Sequence, residues 1–201
     1  MEEAILKEFL YNNNLKFSDI EKSVKVRSNK LAYHIKNLVK KGVLEKQGET
    51  YKLSETAEEL IPYLSEKQSS LAVILIAIPK NSNQVFLHTR NKRPFKSKLS
   101  LPGGRILSGE SLEESTKRIM KQKHSINADL QKINSISIEH VKKQDKKIHS
   151  FILIFVTAST QDEIEYTNIS KNKSKIISSD YSLIKKDLKK QINIKEFVTI
   201  D

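Results

Sequence analysis

Leu101-Pro102-Gly103-Gly104-Arg105-Ile106-Leu107-Ser108-Gly109-Glu110, running on through Ser111 to Ile126, is the stretch from which the rest of this chain is read. Paired glycines free the backbone, and a third follows at Gly109. Ser111-Leu112-Glu113-Glu114 has the form of a capping box. In that arrangement a serine hydroxyl accepts a backbone N–H one turn on, and a glutamate reaches back to the serine N–H. The spacing predicts a glycine loop that feeds a single helix.

The segments around it read as strands. Leu71 to Ile78 is a continuous apolar run, expected to form a buried strand, and Asn81-Ser82-Asn83 turns into a second strand, Gln84 to Arg90, completing a hairpin. Asn91-Lys92-Arg93-Pro94-Phe95-Lys96 is a basic loop leading to Leu99-Ser100-Leu101. After the helix, Ile133 to Val141 and Ser150 to Thr157 are two more expected strands. A short strand at Ile176-Ile177 and a helix from about Ser182 to Gln191 complete the tail. Polar residues between Glu66 and Ser70 mark a boundary, giving domains over 1–66 and 71–201 with a linker at 67–70.

The first domain is expected to be helical and then to turn into a hairpin. Ile5, Leu6, Phe9 and Leu10 share a face of a helix from Glu2 to about Asn13, and a short helix from Ser18 covers Ile20 and Val24. A third helix runs from Ser28 to Lys41 with Leu31, Ile35 and Leu38 buried, and Gly42 ends it. Val43 to Lys46, a Gly48 turn and Tyr51 to Leu53 read as a hairpin; Ser54 caps a last helix through Leu60 and Leu64. Around the open side of the third helix stand Arg27, Ser28, Asn29, Lys30, Tyr33, His34, Lys36, Asn37 and Lys41. Cations, hydroxyls and amides of this kind suit phosphates and base edges. His34 could equally be a hydrogen-bonded core residue.

The formal net charge is +12, and its distribution matters more than its size. Up to Glu66 there are 11 basic and 11 acidic residues, so the excess falls later in the chain, in Lys142, Lys143, Lys146, Lys147 and the stretch from Lys171 to Lys195. Such runs are either solvated surface or attractors of nucleic acid and phosphorylated ligands. The chain has no cysteine, which excludes disulfides and thiolate metal sites. Its longest apolar run is too short to span a bilayer, and the Met1-Glu2-Glu3 start lacks the basic region of a signal peptide. A cytoplasmic location without membrane contact is expected.

Two resemblances follow from these residues. Ser28-Asn29-Lys30-Leu31-Ala32-Tyr33-His34-Ile35-Lys36-Asn37-Leu38, then Lys41-Gly42-Val43-Leu44, resembles the winged-helix regulators of bacteria and archaea. Gly104, Glu110, Arg118, Met120 and Ile126 fall on the register of the Nudix hydrolase signature. That signature is a Gly, five residues, a Glu, seven residues, then Arg-Glu-apolar-x-Glu-Glu-x-Gly-apolar. Together they imply an α+β chain of two domains: a winged helix-turn-helix followed by a Nudix-like α/β/α sandwich with a mixed sheet.

The Nudix resemblance implies cleavage of a nucleoside diphosphate linked to another moiety, with Mg²⁺ or Mn²⁺ on helix carboxylates. Residues at i, i+3 and i+4 share a helix face, so carboxylates at 119, 122 and 123 would converge on a hard cation. Here those positions hold Ile119, Gln122 and Lys123, and Ser125 replaces the final glycine. A lysine puts positive charge where the ion would sit. The expectation is no catalytic residue, no metal site and no cofactor. Glu110 is either a residual ligand or a residue favoured by the helix dipole, and Arg118 has Glu114 four residues earlier as an ion-pair partner. Glu113 and Glu114 could also rebuild a metal site one turn earlier.

Arg90, Arg93, Arg105, Glu110 and Lys123, with Lys121 and His124 nearby, form a candidate ligand site in which cations bind phosphate directly; otherwise they are scattered surface charges. His88, His124, His140 and His149 show no metal-ligand spacing and read as ordinary strand and loop residues. The combined expectation is a transcriptional regulator that binds double-stranded DNA and senses a small phosphorylated, nucleotide or sugar effector. It resembles Nudix-related regulators, with the domain order reversed. A homodimer is expected, because paired half-sites need a set separation. The alternatives are a divergent Nudix hydrolase using Mg²⁺ or Mn²⁺, and an interaction scaffold.

Overall fold

Leu31, Ile35 and Leu38 are all buried, and they fix the third helix of the first unit, α3 (Ser28–Lys40), against its neighbours. The computed structural model describes residues 1–58, 69–143 and 145–197. It divides into two units, Met1–Ser69 and Ser70–Asp201. Before α3 come α1 (Glu2–Glu8), β1 (Leu15–Lys16) and α2 (Phe17–Val24). After it come β2 (Leu44–Gln47), β3 (Thr50–Leu53) and α4 (Glu55–Glu58).

Gly42 at φ +70 ends α3, and Gly48 at φ +59 turns the β2–β3 hairpin. Ser54 accepts the Ala57 N–H at 3.3 Å and donates to the Gly42 carbonyl at 2.6 Å, tying α4 to the end of α3. Ile5, Phe9, Ile20, Leu31, Ile35, Leu38, Leu44, Leu53 and Ala57 make one core. Each large aliphatic side chain buried there contributes roughly 1.5–3 kcal/mol. Helix α1 is shorter than its periodicity predicts: it ends at Glu8, whose carbonyl accepts the Asn12 side chain at 3.1 Å. Strand β1 is an addition, pairing with β3 to give the order β1-β3-β2. The expected last helix beyond Glu58, and linker residues 67 and 68, lie outside the described residues.

The second unit is built on a mixed sheet. Strand β4 (Leu71–Ala77) pairs in parallel with β11 (Lys146–Ser159) and antiparallel with β9 (Gly103–Arg105). Strand β10 (Asp129–Lys143) is antiparallel to β11, giving the order β10-β11-β4-β9. Alternation along β4 sends its side chains to opposite faces. Ile74 and Ile76 pack with Ile119 and Met120 of α5 (Leu112–His124), while Leu75 and Ala77 share a core with Leu183 and Ile184 of α6 (Ser178–Asp187).

The expected hairpin between residues 71–78 and 84–90 does not form. Strand β4 is already paired on both edges, so the turn at Ser82-Asn83 instead joins β5 (Pro79–Asn81) to β6 (Gln84–Val85). Residues further on form β7 (His88–Thr89), paired with β8 (Leu99–Ser100). Thr167–Asn168 adds β12 beside β6. Ile176 makes one parallel bridge to Leu99, and α6 starts four residues before its expected position.

One buried amide ties the tail to the sheet. Asn134 sits at a bulge in β10 and donates to the carbonyls of Asp187 (3.3 Å), Leu188 (2.8 Å) and Lys190 (3.1 Å), while accepting from Thr157 at 2.8 Å. Carbonyls at a helix C-terminus have no partner within the helix, and this side chain supplies one. Asn134→Ala is expected to lower the stability of the second unit by about 2 kcal/mol through the orphaned acceptors. The midpoint of urea unfolding measures it.

Candidate functional site

Close contacts leave no room for a side chain at Gly103 and little at Gly104. A Cβ on Gly103 would lie 2.7 Å from the Ile74 carbonyl oxygen, and one on Gly104 would lie 2.9 Å from Lys123 Nζ and 3.0 Å from Ile119 Cδ1. Strand β9 can therefore lie against both β4 and α5. Gly109, at φ +77, makes the turn into the helix. Ser111 caps α5 as expected: its hydroxyl accepts the Glu114 N–H at 3.2 Å, and the Glu114 carboxylate accepts the Ser111 N–H at 2.9 Å. Ser125 ends the helix at φ 58, a left-handed conformation costing a non-glycine residue about 1 kcal/mol.

Glu110 and Arg118 pair with each other. Arg118 donates from Nε and from Nη2 (2.7 Å) to the two oxygens of Glu110, and also from Nη2 to the Arg105 carbonyl at 3.0 Å. The expected Arg118–Glu114 pair does not form, because the Glu114 carboxylate is turned back to the cap. Glu110 also accepts from Ser115 Oγ (2.8 Å) and the Leu107 N–H (3.2 Å). The Arg118 hydrogen bonds, helped by those from Ser115 and Leu107, hold its carboxyl down to about 2.

These residues do not fit a divalent cation. Glu110 is committed to Arg118, Ser115 and Leu107, Glu113 is paired with Lys117 at 2.7 Å, and Glu114 belongs to the helix cap. Ile119 is fully buried in the core, and Gln122 is exposed. Lys123 donates to the Gly103 carbonyl at 2.7 Å, with burial and then the charges of Arg118, Lys92 and Arg90 lowering its pKa. Among the described residues no three His, Asp or Glu side chains converge as a metal site requires.

A cavity of about 540 Å³ opens beside this strand, with His88, Arg90, Lys92, Gly104, Lys123 and His124 in its wall. Of the five expected ligand residues it gathers Arg90 and Lys123. Arg93 and Arg105 are exposed and do not line it, and Glu110 is held by Arg118. Arg90 Nε donates to the Pro94 carbonyl at 2.6 Å and the Lys92 carbonyl at 3.2 Å, which fixes the basic loop over the opening.

Reading the histidines one by one missed a pair. His88 and His124 meet edge to face with ring centroids 4.7 Å apart, and Phe86 packs on His124 at 5.6 Å. Burial, then the neighbouring His88 and Lys123, pushes His124 down to about 4, and burial lowers His88 as well. Both rings are neutral near pH 7. His124 Nε2 is buried without a hydrogen-bond partner among the described residues. The two histidines lie 36 positions apart in sequence, so no local spacing announces them.

Asp180, also unforeseen, anchors the approach to the glycines. It is buried and accepts from Ser100 Oγ at 3.0 Å and from the Leu101 N–H at 2.8 Å. With Val73, Leu75 and Arg90, which also line the larger cavity, it borders an apolar pocket of about 90 Å³.

In the first unit Arg27, Asn29, Lys30, Tyr33 and Lys36 are exposed around α3, and Asn37 is half-buried. Ser28 Oγ donates to Glu21. Lys41 donates to Glu2 at 2.8 Å, and His34 Nδ1 is 4.0 Å from the same carboxylate. Glu2 is thus an acid beside this basic surface that the sequence reading did not count, and the Lys41 hydrogen bond lowers its pKa. His34 is half-buried with its ring edge-to-face on Tyr33 at 5.4 Å.

No family model matches this chain, and no curated protein matches it. Solved structures similar to it include a NUDIX hydrolase from Nitrosomonas europaea, at 14% identity over 60% of this chain and 70% of that one with a TM-score of 0.48. The NUDIX domain of Shewanella oneidensis NrtR complexed with ADP ribose is similar at 15% identity over 66% and 95%, with a TM-score of 0.47. A NUDIX-family hydrolase from Clostridium perfringens is similar at 19% over 58% and 95%, with a TM-score of 0.41.

Burial pushes the Asp180 carboxyl up to about 6, against the opposing donors at Leu101 and Ser100. The ordinary value is about 4, so between about 4 and 6 the folded chain binds more protons than the unfolded one, and stability falls as pH rises through that window. Asp180→Asn is expected to flatten this fall. Denaturant unfolding at a series of pH values across the window shows it, and an unchanged slope would contradict the assignment.

Proposed function

We propose that this chain is a DNA-binding regulator. Its first unit is a winged helix that presents α3 to the major groove, and its second is a Nudix-like domain that binds a small phosphorylated ligand without turning it over. The observation that carries the ligand half is Lys123: at a position where the Nudix signature has a metal-binding carboxylate, an ammonium group stands in the wall of a basic cavity shared with Arg90 and Lys92. Charge-assisted hydrogen bonds from these cations to phosphate would replace the metal bridge. The neutral His88 and His124 offer hydrogen bonding and a ring surface beside them. The DNA half is supported by the exposed Arg27, Asn29, Lys30, Tyr33 and Lys36 around a helix whose other side is fully buried.

ADP-ribose, a diphosphate with two sugars, serves as the probe. In the absence of metal it is expected to raise the melting temperature, since a compound that binds only the folded state stabilises it, and Lys123→Met should abolish the rise. Metal-dependent hydrolysis of ADP-ribose that disappears in Glu110→Gln would instead establish the hydrolase reading.

On DNA from the region upstream of its own coding sequence, affinity should fall steeply with salt. Lys30→Ala combined with Lys36→Ala should reduce the slope of log affinity against log salt by about 2. A flat salt dependence, or an unchanged slope in the double variant, overturns the DNA assignment.

A further inference from the structure

Strand β10 lies at the edge of its sheet, and among the described residues only the first half of that edge is paired. At its start, Ile133 bridges antiparallel to Ile192, accepting the Ile192 N–H at 2.9 Å, and Asn134 and Ser135 bond to the end of α6. The bridge is antiparallel, so the chain after Ile192 runs towards Asp129, away from residues 136 to 142. Along those residues no pairing on the outer edge occurs among the described residues.

Lys142 and the bulge at Val141/Lys142 protect the far end of this open half, but between Ile136 and His140 the single charge of Glu139 is the only such protection. An unpaired strand edge is normally blunted by proline, lysine or a bulge, because its N–H and C=O groups otherwise template another strand. From Ile136 to His140 there is no proline or lysine, and pairing with β11 is regular; the bulges of β10 fall at either side of this segment. Its exposed face is also apolar. Ile136 is 48% exposed, Ile138 67%, and Ile152, beside Ile138 on β11, 36%.

We infer that this edge pairs with the same edge of a second copy of the chain, antiparallel about a twofold axis at Ile138, joining two sheets into one. The segment is self-complementary in that register. Ile138 stands against Ile138, Ile136 against His140, and Ser137 against Glu139, so the one acidic residue of the segment never faces itself. Registers centred one residue further along would set Glu139 against Glu139, which like-charge repulsion disfavours. The inference goes beyond the DNA and ligand reading and does not rest on it.

The intact chain should sediment as a dimer at micromolar concentration, and Ile138→Lys, which places two ammonium groups across the axis, should halve the mass to 23.1 kDa with unchanged circular dichroism. Because the chain has no cysteine, Ile138→Cys should form a disulfide-linked dimer on mild oxidation, whereas Ile152→Cys, one strand inward, should not. A monomeric wild-type chain, a dimer that survives Ile138→Lys, or equal cross-linking of the two cysteine variants overturns it.

Discussion

The close approach of β9 to its neighbours is the constraint on which the second unit depends. Gly103 lies so close to the Ile74 carbonyl that a Cβ would clash, and Gly104 lies tightly against the side chains of Ile119 and Lys123. This contact seats α5 on the strand, and it decides which helix positions meet the glycines. Residues 119 and 123 do, and residue 122 remains exposed. The chemistry of the site is therefore set by a buried isoleucine and a lysine that reaches the Gly103 carbonyl.

Charge around the glycine strand falls in two places. Glu110 is neutralised by Arg118 and kept ionised by the hydrogen bonds it accepts, so the pair braces the turn between β9 and α5. The cavity beside it has cations and neutral imidazoles in its wall. Lowered pKa values at Lys123, His88 and His124 share one physical origin: burial and neighbouring positive charge both disfavour a further proton. An anion entering such a cavity relieves that repulsion.

The covered and open halves of β10 show how one residue divides a strand. Asn134 collects the last carbonyls of α6 and brings the tail across the edge up to Ile133. Beyond Ser135 the same strand continues regularly but meets nothing on its outer side among the described residues. A bulge in the covered half also explains why Ile133 and Ile136 are three apart yet belong to one apolar pattern.

What the sequence by itself determined is local. The buried face of α3, the glycines that end α3 and turn β2 into β3, and the capping box of α5 all depend on residues within one or two turns of each other, whereas Gly103 and Gly104, expected in a loop, are drawn into β9 by pairing with distant β4. Periodicity, capping and left-handed φ are properties of short segments, so the sequence alone specifies them. Only the tertiary structure decided the rest. It gave Arg118 to Glu110 and left Glu114 to the cap, split residues 84–90 between two pairings, added β1 to the first sheet, brought His88 onto His124, and buried Asp180 under Leu101. Each of these is settled by competition among distant segments for the same donor, edge or cavity wall, and no spacing along the chain records which one wins.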